Sequence, residues 1–298
     1  MLYNNLSGYF RRKYGKRIGK ICIDGGFTCP NRDGTSGVGG CIFCGERGAG
    51  EHINPNQSIR EQVNAALSSA KPDDLFIAYF QNFTNTYAPT SVLKERYDAA
   101  LTDERIIALA IGTRPDCISE EVCRLIAEYK NRLDVWVELG FQTASDETAK
   151  IINRGYTKDV FENAVKLLNE YGIPVCVHMM IGLPGESLAD VQKSTEYISK
   201  FNVWGIKIHS LYVMKNTKLD QMYKAGEYTP QTLEEYVIAT VYMLTHISPD
   251  IIVHRITGDC PKDMLSAPEW NKNKHKIIEA ITSYMTKHEY TQGCFFKE

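Results

Sequence analysis

Short, continuously apolar runs recur along this chain at 18–27, 75–80, 106–112, 135–142, 173–182, 205–213 and 251–256. Unbroken apolar character predicts strands covered on both faces. The intervals carry helical periodicity. Segment 59–70 places apolar residues at 59, 63, 66 and 67, and 119–130 opens on Ser119 with acids in its first turn. Segments 159–171 and 233–247 repeat the pattern. Alternating βα units imply a parallel sheet, and six or seven of them imply an open or closed α/β barrel. A doubly wound dinucleotide-binding sheet is disfavoured, because no GxGxxG follows the first run. In a barrel, the loops after the strands form the ligand face.

Composition narrows the partners. The 298 residues are 43% hydrophobic and 23% charged, enough for one large core. The net charge is −2, so any nucleic acid must meet a local patch rather than a global field. No apolar run approaches the ~18 residues of a membrane span. The N-terminus lacks the apolar core of a secretory signal, so a cytoplasmic protein is expected. Nine cysteines in a reducing compartment are expected to bind metal or to be buried as free thiols.

Three of those cysteines, Cys29, Cys41 and Cys44, share a glycine-rich loop after the first run with the spacing C-x11-C-x2-C. Three thiolates on one such loop can converge on one metal centre. A closed zinc site prefers four protein ligands, and the nearest fourth candidates are Cys22 and His52. A [4Fe–4S] cluster with one iron open to an exogenous ligand needs only the three. Cluster and zinc knuckle both remain open on spacing alone.

The loop resembles the cluster loop of radical S-adenosylmethionine (SAM) enzymes, in a variant with a long first spacer. Downstream, VELGFQT at 137–143, NRGYT at 153–157, HMMIGLPGE at 178–186 and KIHSLYVMKNTKL at 207–219 resemble, in order, the radical SAM domain of the Elongator catalytic subunit. The chain also resembles a small bacterial radical SAM family of about this length. Tyr156 stands where that motif usually has histidine. The resemblance implies a partial (β/α)6-type TIM barrel. The expected domains are a basic, aromatic N-terminal extension (1–16), a core barrel (17–250) and a C-terminal extension packed on it (251–298). No acetyltransferase domain is expected, because only a short tail follows the last run.

The same resemblance implies the site. Cys29, Cys41 and Cys44 would ligate a [4Fe–4S] cluster, and SAM would chelate the fourth iron. One electron from a donor such as flavodoxin or ferredoxin would then release a 5′-deoxyadenosyl radical. Phe43 would pack near the adenine, with Val213 beneath it. Thr84, Asn85 and Thr86 would meet the SAM amine, Gln142 the ribose and Arg154 the carboxylate. Arginine's planar fork suits that last task. Glu138 and His178 are expected to face the site from their strands. Cys260 is expected near the barrel mouth.

The implied substrate is a tRNA wobble uridine modified on its C5 side chain, with conversion of carboxymethylaminomethyl to aminomethyl as one option. Arg11, Arg12, Lys13, Lys16, Arg17 and Lys20 interleave with Tyr9, Phe10 and Tyr14, a pattern suited to phosphate contact and base stacking. A second basic cluster is Lys272, Lys274, His275 and Lys276, beside Trp270. A radical SAM enzyme acting on a small metabolite, or a non-catalytic zinc protein, would use neither.

Overall fold

The computed structural model describes residues 2–48, 50, 53–54 and 56–297. His52, the alternative zinc ligand, lies outside them. The order of elements is α1 (Leu6–Tyr14), β1 (Ile18–Ile23), α2 (Ile59–Ser68), β2 (Leu75–Phe80), α3 (Thr90–Ala100), β3 (Ile106–Thr113), α4 (Glu120–Tyr129) and β4 (Asp134–Gln142). There follow α5 (Asp146–Ile151), α6 (Lys158–Glu170), β5 (Val175–Ile181), α7 (Leu188–Ile198), β6 (Gly205–Ser210), β7 (Val213–Met214) and α8 (Lys218–Lys224). The chain closes with α9 (Leu233–His246), β8 (Ile252–Arg255), β9 (Leu265–Ala267) and α10 (Lys274–Lys287).

Seven strands form one parallel sheet in the order β1-β2-β3-β4-β5-β6-β8. Each crossover contains at least one helix, as parallel pairing requires. The two edge strands, β1 and β8, do not pair, so the sheet curls into a half-barrel rather than closing as a full TIM barrel. Several helices start on side-chain caps. Ser58 with Glu61, Ser187 with Asp190 and Thr232 with Glu235 form capping boxes, which satisfy backbone N–H groups that have no intrahelical partner.

Apolar residues on the outer sheet face, such as Ile111, Val137, Val177 and Ile208, pack against the helices in one large cluster. The inner face is filled differently at its two ends. At the N-terminal end of the strands, α1 inserts Phe10 beside Ile77, Ala108, Trp136 and Cys176. Phe10 is 2% exposed. Tyr9 meets Trp204 edge-on at 5.6 Å, and Tyr14 hydrogen-bonds Asp134, the first residue of β4, at 2.8 Å. The aromatics of the N-terminal segment therefore plug the bottom of the half-barrel and are not presented for base stacking. That end is opposite the loop that follows β1.

The expected C-terminal extension also begins inside the sheet: β8, the seventh strand, falls within 251–298. The short β7–β9 ribbon and α8 form a shelf at the C-terminal end of the strands. No helix among the described residues is long and apolar enough to cross a membrane.

Candidate active site

The loop after β1 is fastened by its own polar groups. Arg32 donates to the carbonyls of Cys44, Gly45 and Glu46 at 3.4, 2.5 and 3.1 Å. Asn153, at φ 53°, donates to the carbonyls of Gly40 and Val38 at 2.7 and 3.1 Å. Asn31 returns a bond to the carbonyl of Asn153 at 2.6 Å. The shelf adds Leu219 N–H to Ile42 O at 2.9 Å. A Cβ on Gly37 would stand 2.2 Å from Asn31 Oδ1, so a larger residue there would have to displace the Asn31 amide that holds Asn153.

This scaffold brings Cys29, Cys41 and Cys44 onto one cavity of about 220 Å³. The Cys41 thiol donates to Cys44, so the pair favours a single thiolate. That hydrogen bond, helped by Arg32, brings the Cys44 pKa down to about 7, while Cys41 is pushed up. Phe43, Thr84, Glu138, Gln142, Arg154 and His178 line the same cavity. Gln142 sits at φ 66°, at a register shift between β4 and β5. Such an irregularity re-aims a side chain, and here it turns Gln142 inward, with its buried Oε1 unpartnered. Gly140 makes room for it, since a Cβ would meet Gln142 Nε2 at 2.8 Å. Thr84 is 1% exposed, with its hydroxyl likewise unpartnered.

Three expectations need correction. Asn85 donates to the carbonyls of Phe80 and Gly112, and Thr86 bonds Thr113 and the Cys117 carbonyl. Both residues brace the turn after β2, and neither lines the cavity. Val213 is wholly buried in the apolar shelf with Ile42, Leu183 and Leu219, beneath the loop rather than in the site. Arg154 lines the cavity, but its fork is not free. Nη1 donates to the carbonyls of Phe141 and Thr143 at 2.6 and 2.7 Å, Nε to that of Tyr156 at 3.0 Å, and Nη2 to Asp146 at 3.3 Å.

Glu138 is the hub of the inner wall. It is fully buried, and both of its oxygens are engaged. His178 Nε2 and the Lys207 ammonium meet Oε2, while Trp136 Nε1–H donates to Oε1 at 3.1 Å. His254 Nδ1 lies 3.7 Å from Oε1. Burial alone would raise this carboxyl's pKa; the Lys207 charge and the histidine contacts outweigh it and hold the pKa well below the usual range. Lys207 also donates to the Tyr79 hydroxyl at 3.1 Å. Burial pushes His178 and His209 down and His254 to about 4.

Beyond His178 and Gln142 the cavity opens into a second one, of about 410 Å³, bounded by Met180, Tyr212, Arg255, Cys260 and Pro261. Lys207, His209 and Arg255 were not expected as site residues. Their signal was present: Lys207 and His209 are polar residues two apart in an otherwise apolar strand, and therefore share one face.

Comparison with known proteins gives the family. Residues 29–198 match the Radical SAM superfamily, and 203–287 match the Radical_SAM C-terminal domain. The chain belongs to the radical SAM superfamily and is a radical SAM enzyme, using a [4Fe–4S] cluster, SAM and an electron donor. It is 36% identical over 299 residues to YtqA of Bacillus subtilis, covering 99% of this chain and 93% of that one. It is 30% identical over 196 residues to the tRNA uridine(34) acetyltransferase of Methanocaldococcus jannaschii, covering 64% of this chain but 35% of that enzyme. The fold matches Methanocaldococcus infernus Elp3 with a TM-score of 0.70 at 22% identity, over 92% of this chain and 64% of that one.

Proposed function

We propose that Cys29, Cys41 and Cys44 ligate the cluster, that Phe43, Thr84 and Gln142 contact SAM, and that the enzyme modifies the C5 side chain of a tRNA wobble uridine. The observation behind the site is the convergence of three loop thiols with the unpartnered Thr84 Oγ1 and Gln142 Oε1 on one cavity. When bound, cluster and SAM supply a 5′-deoxyadenosyl radical. The residues of this chain orient SAM and keep water away. The RNA reading is supported by the likeness to tRNA uridine(34) acetyltransferases.

A radical alone suits removal of hydrogen from a side chain already in place. For carboxymethylaminomethyluridine the net change would be a two-electron oxidation of the glycyl methylene to an imine, with the bound SAM and cluster as the chemistry that takes up the hydrogen atom and the second electron while the nitrogen gives up a proton. Hydrolysis of the imine would release glyoxylate and leave aminomethyluridine. The RNA would approach at the C-terminal end of the strands. There Lys274, of the second basic cluster, lies 2.5 Å from Asp259 at the rim of the larger cavity. Flavodoxin or ferredoxin would deliver the electron, in the cytoplasm, where the nine free thiols are stable.

Two measurements test this reading. Anaerobic reconstitution should give about four irons per chain. Cys29→Ala, Cys41→Ala or Cys44→Ala should abolish iron uptake, whereas Cys117→Ala and Cys294→Ala keep it; stoichiometric zinc would refute the cluster. Nucleoside profiling of tRNA from a strain lacking the gene should show carboxymethylaminomethyluridine accumulating. An unchanged profile refutes the substrate.

A further inference from the structure

Four arginines line the cluster cavity: Arg32, Arg114, Arg154 and Arg255. Three are committed to the protein. Arg32 holds the loop carbonyls, and Arg154 holds those of Phe141, Thr143 and Tyr156. Arg114 forms a two-pronged pair with Asp116, at 2.9 and 2.7 Å, and donates to the Arg154 carbonyl. Arg255 differs: its guanidinium has no hydrogen bond among the described residues. Its ion-pair partner, Asp259, is 3.6 Å away, and Asp259 already meets Lys274 at 2.5 Å.

The surrounding wall does not balance that charge. Lys20 and Lys207 flank the Tyr79 ring on the inner face, at 4.9 and 4.3 Å. The buried acid beside them is Glu138, and its oxygens are already taken by Lys207, His178 and Trp136. The interior therefore carries excess positive charge, and its uncommitted element is a planar fork. Arg255 is also the one arginine that lines both cavities. The larger one excludes Cys29, Cys41 and Thr84 but shares Phe43, Cys44 and Gln142 with the smaller, so it adjoins the proposed cofactor site and extends beyond it. Its size falls in the ~300–1,000 Å³ range of ligand pockets.

We infer that the larger cavity is the substrate compartment and that Arg255 sets its specificity by holding a carboxylate carried on the substrate's reacting substituent. A guanidinium binds a carboxylate through two parallel hydrogen bonds, which fixes orientation as well as charge. Held this way, the carboxylate would orient the adjacent methylene while His209 and Met180 close the sides of the compartment. The inference rests on the wobble-uridine reading and names the group through which that site selects its substrate.

The test uses the reconstituted holoenzyme and two anticodon stem-loops, one carrying carboxymethylaminomethyluridine and the other its methyl ester. Affinity and turnover are measured for wild type, Arg255→Gln and Arg255→Lys. Wild type should prefer the acid by roughly ten- to a hundredfold, the range for a hydrogen bond to a charged group. Arg255→Gln should lose that preference, and Arg255→Lys should recover part of it. Wild type treating acid and ester alike overturns the inference. So does an equal loss for both RNAs in Arg255→Gln, which would place the guanidinium on a backbone phosphate. A matching fall in SAM affinity would place it on the cofactor and overturn it equally. RNA that binds with the acid preference but is not turned over leaves the inference standing and refutes the proposed reaction.

Discussion

Arg154 places four of its five N–H groups on Phe141, Thr143, Tyr156 and Asp146, and it is 1% exposed. It ties the end of β4 to the turn after α5, and so holds Asn153 against the cysteine loop. Arg154→Ala would strip the Thr143 and Tyr156 carbonyls of the donors that meet them and take one of two donors from Phe141 O, at about 1–3 kcal/mol for each group left unpaired. The expected outcome is a fall of about 3 kcal/mol or more in the unfolding free energy of the iron-free protein, read from urea denaturation. Arg154→Lys should fall in the same direction, since an ammonium cannot span the carbonyls. An unchanged midpoint with weakened SAM binding would reverse the assignment. The spacing of Arg154 from Gln142 was visible in the sequence, but the use of its hydrogens was not. Hydrogen bonding depends on where carbonyls lie in space, and spacing does not encode that. The cysteine loop was legible because its three thiols are close along the chain.

At the scale of elements, most strands could be read directly, because β2 and β3 are apolar on both faces and β4 to β6 are apolar on the outer one. Helices with a clear apolar stripe, such as α4 and α6, were equally legible. Among the unread ones, α7 reads LADVQKSTEYI and α5 spans six residues, whereas α10 has a narrow stripe of Ile277, Ile281 and Met285 that went unread. Strands β4, β5, β6 and β8 jointly carry the Glu138 hub, which has a pH consequence. His254 titrates near 6.5 when unfolded and at about 4 when folded, and Glu138 is also depressed. Both depressions contribute stability that is present above the unfolded pKa and lost as pH falls through the folded one. For His254 the window runs from about pH 6.5 to 4, and a shift of that size corresponds to about 3 kcal/mol. Denaturation at stepped pH should show stability falling across this window, with a shallower fall in His254→Gln. Equal slopes in the two proteins would remove His254 from the acid response.

For the whole molecule, the direction of the parallel sheet decides which basic segment can meet RNA. The cysteine loop and Cys260 lie at the C-terminal ends of the strands, whereas α1 closes the other end. Arg11, Arg12 and Lys13 are therefore separated from the site by the length of the half-barrel. In sequence both basic clusters had aromatic neighbours, and those of the first, Tyr9, Phe10 and Tyr14, turn out to pack into the bottom of the barrel. Lys262, Lys274 and Lys276 are exposed on the mouth side. Removing one lysine–phosphate ion pair there should flatten the slope of log affinity against log salt by ~0.7–0.9. Changing Lys262, Lys274 and Lys276 to Ala should thus lower the slope by roughly 2 if all three meet phosphates. Changing Arg11, Arg12 and Lys13 to Ala should leave it unaltered. Titrating a wobble-uridine tRNA against both triple variants at several salt concentrations distinguishes the two ends. A flattened slope in the α1 variant alone would mean that the RNA wraps the barrel from below, and the mouth-side approach would be wrong.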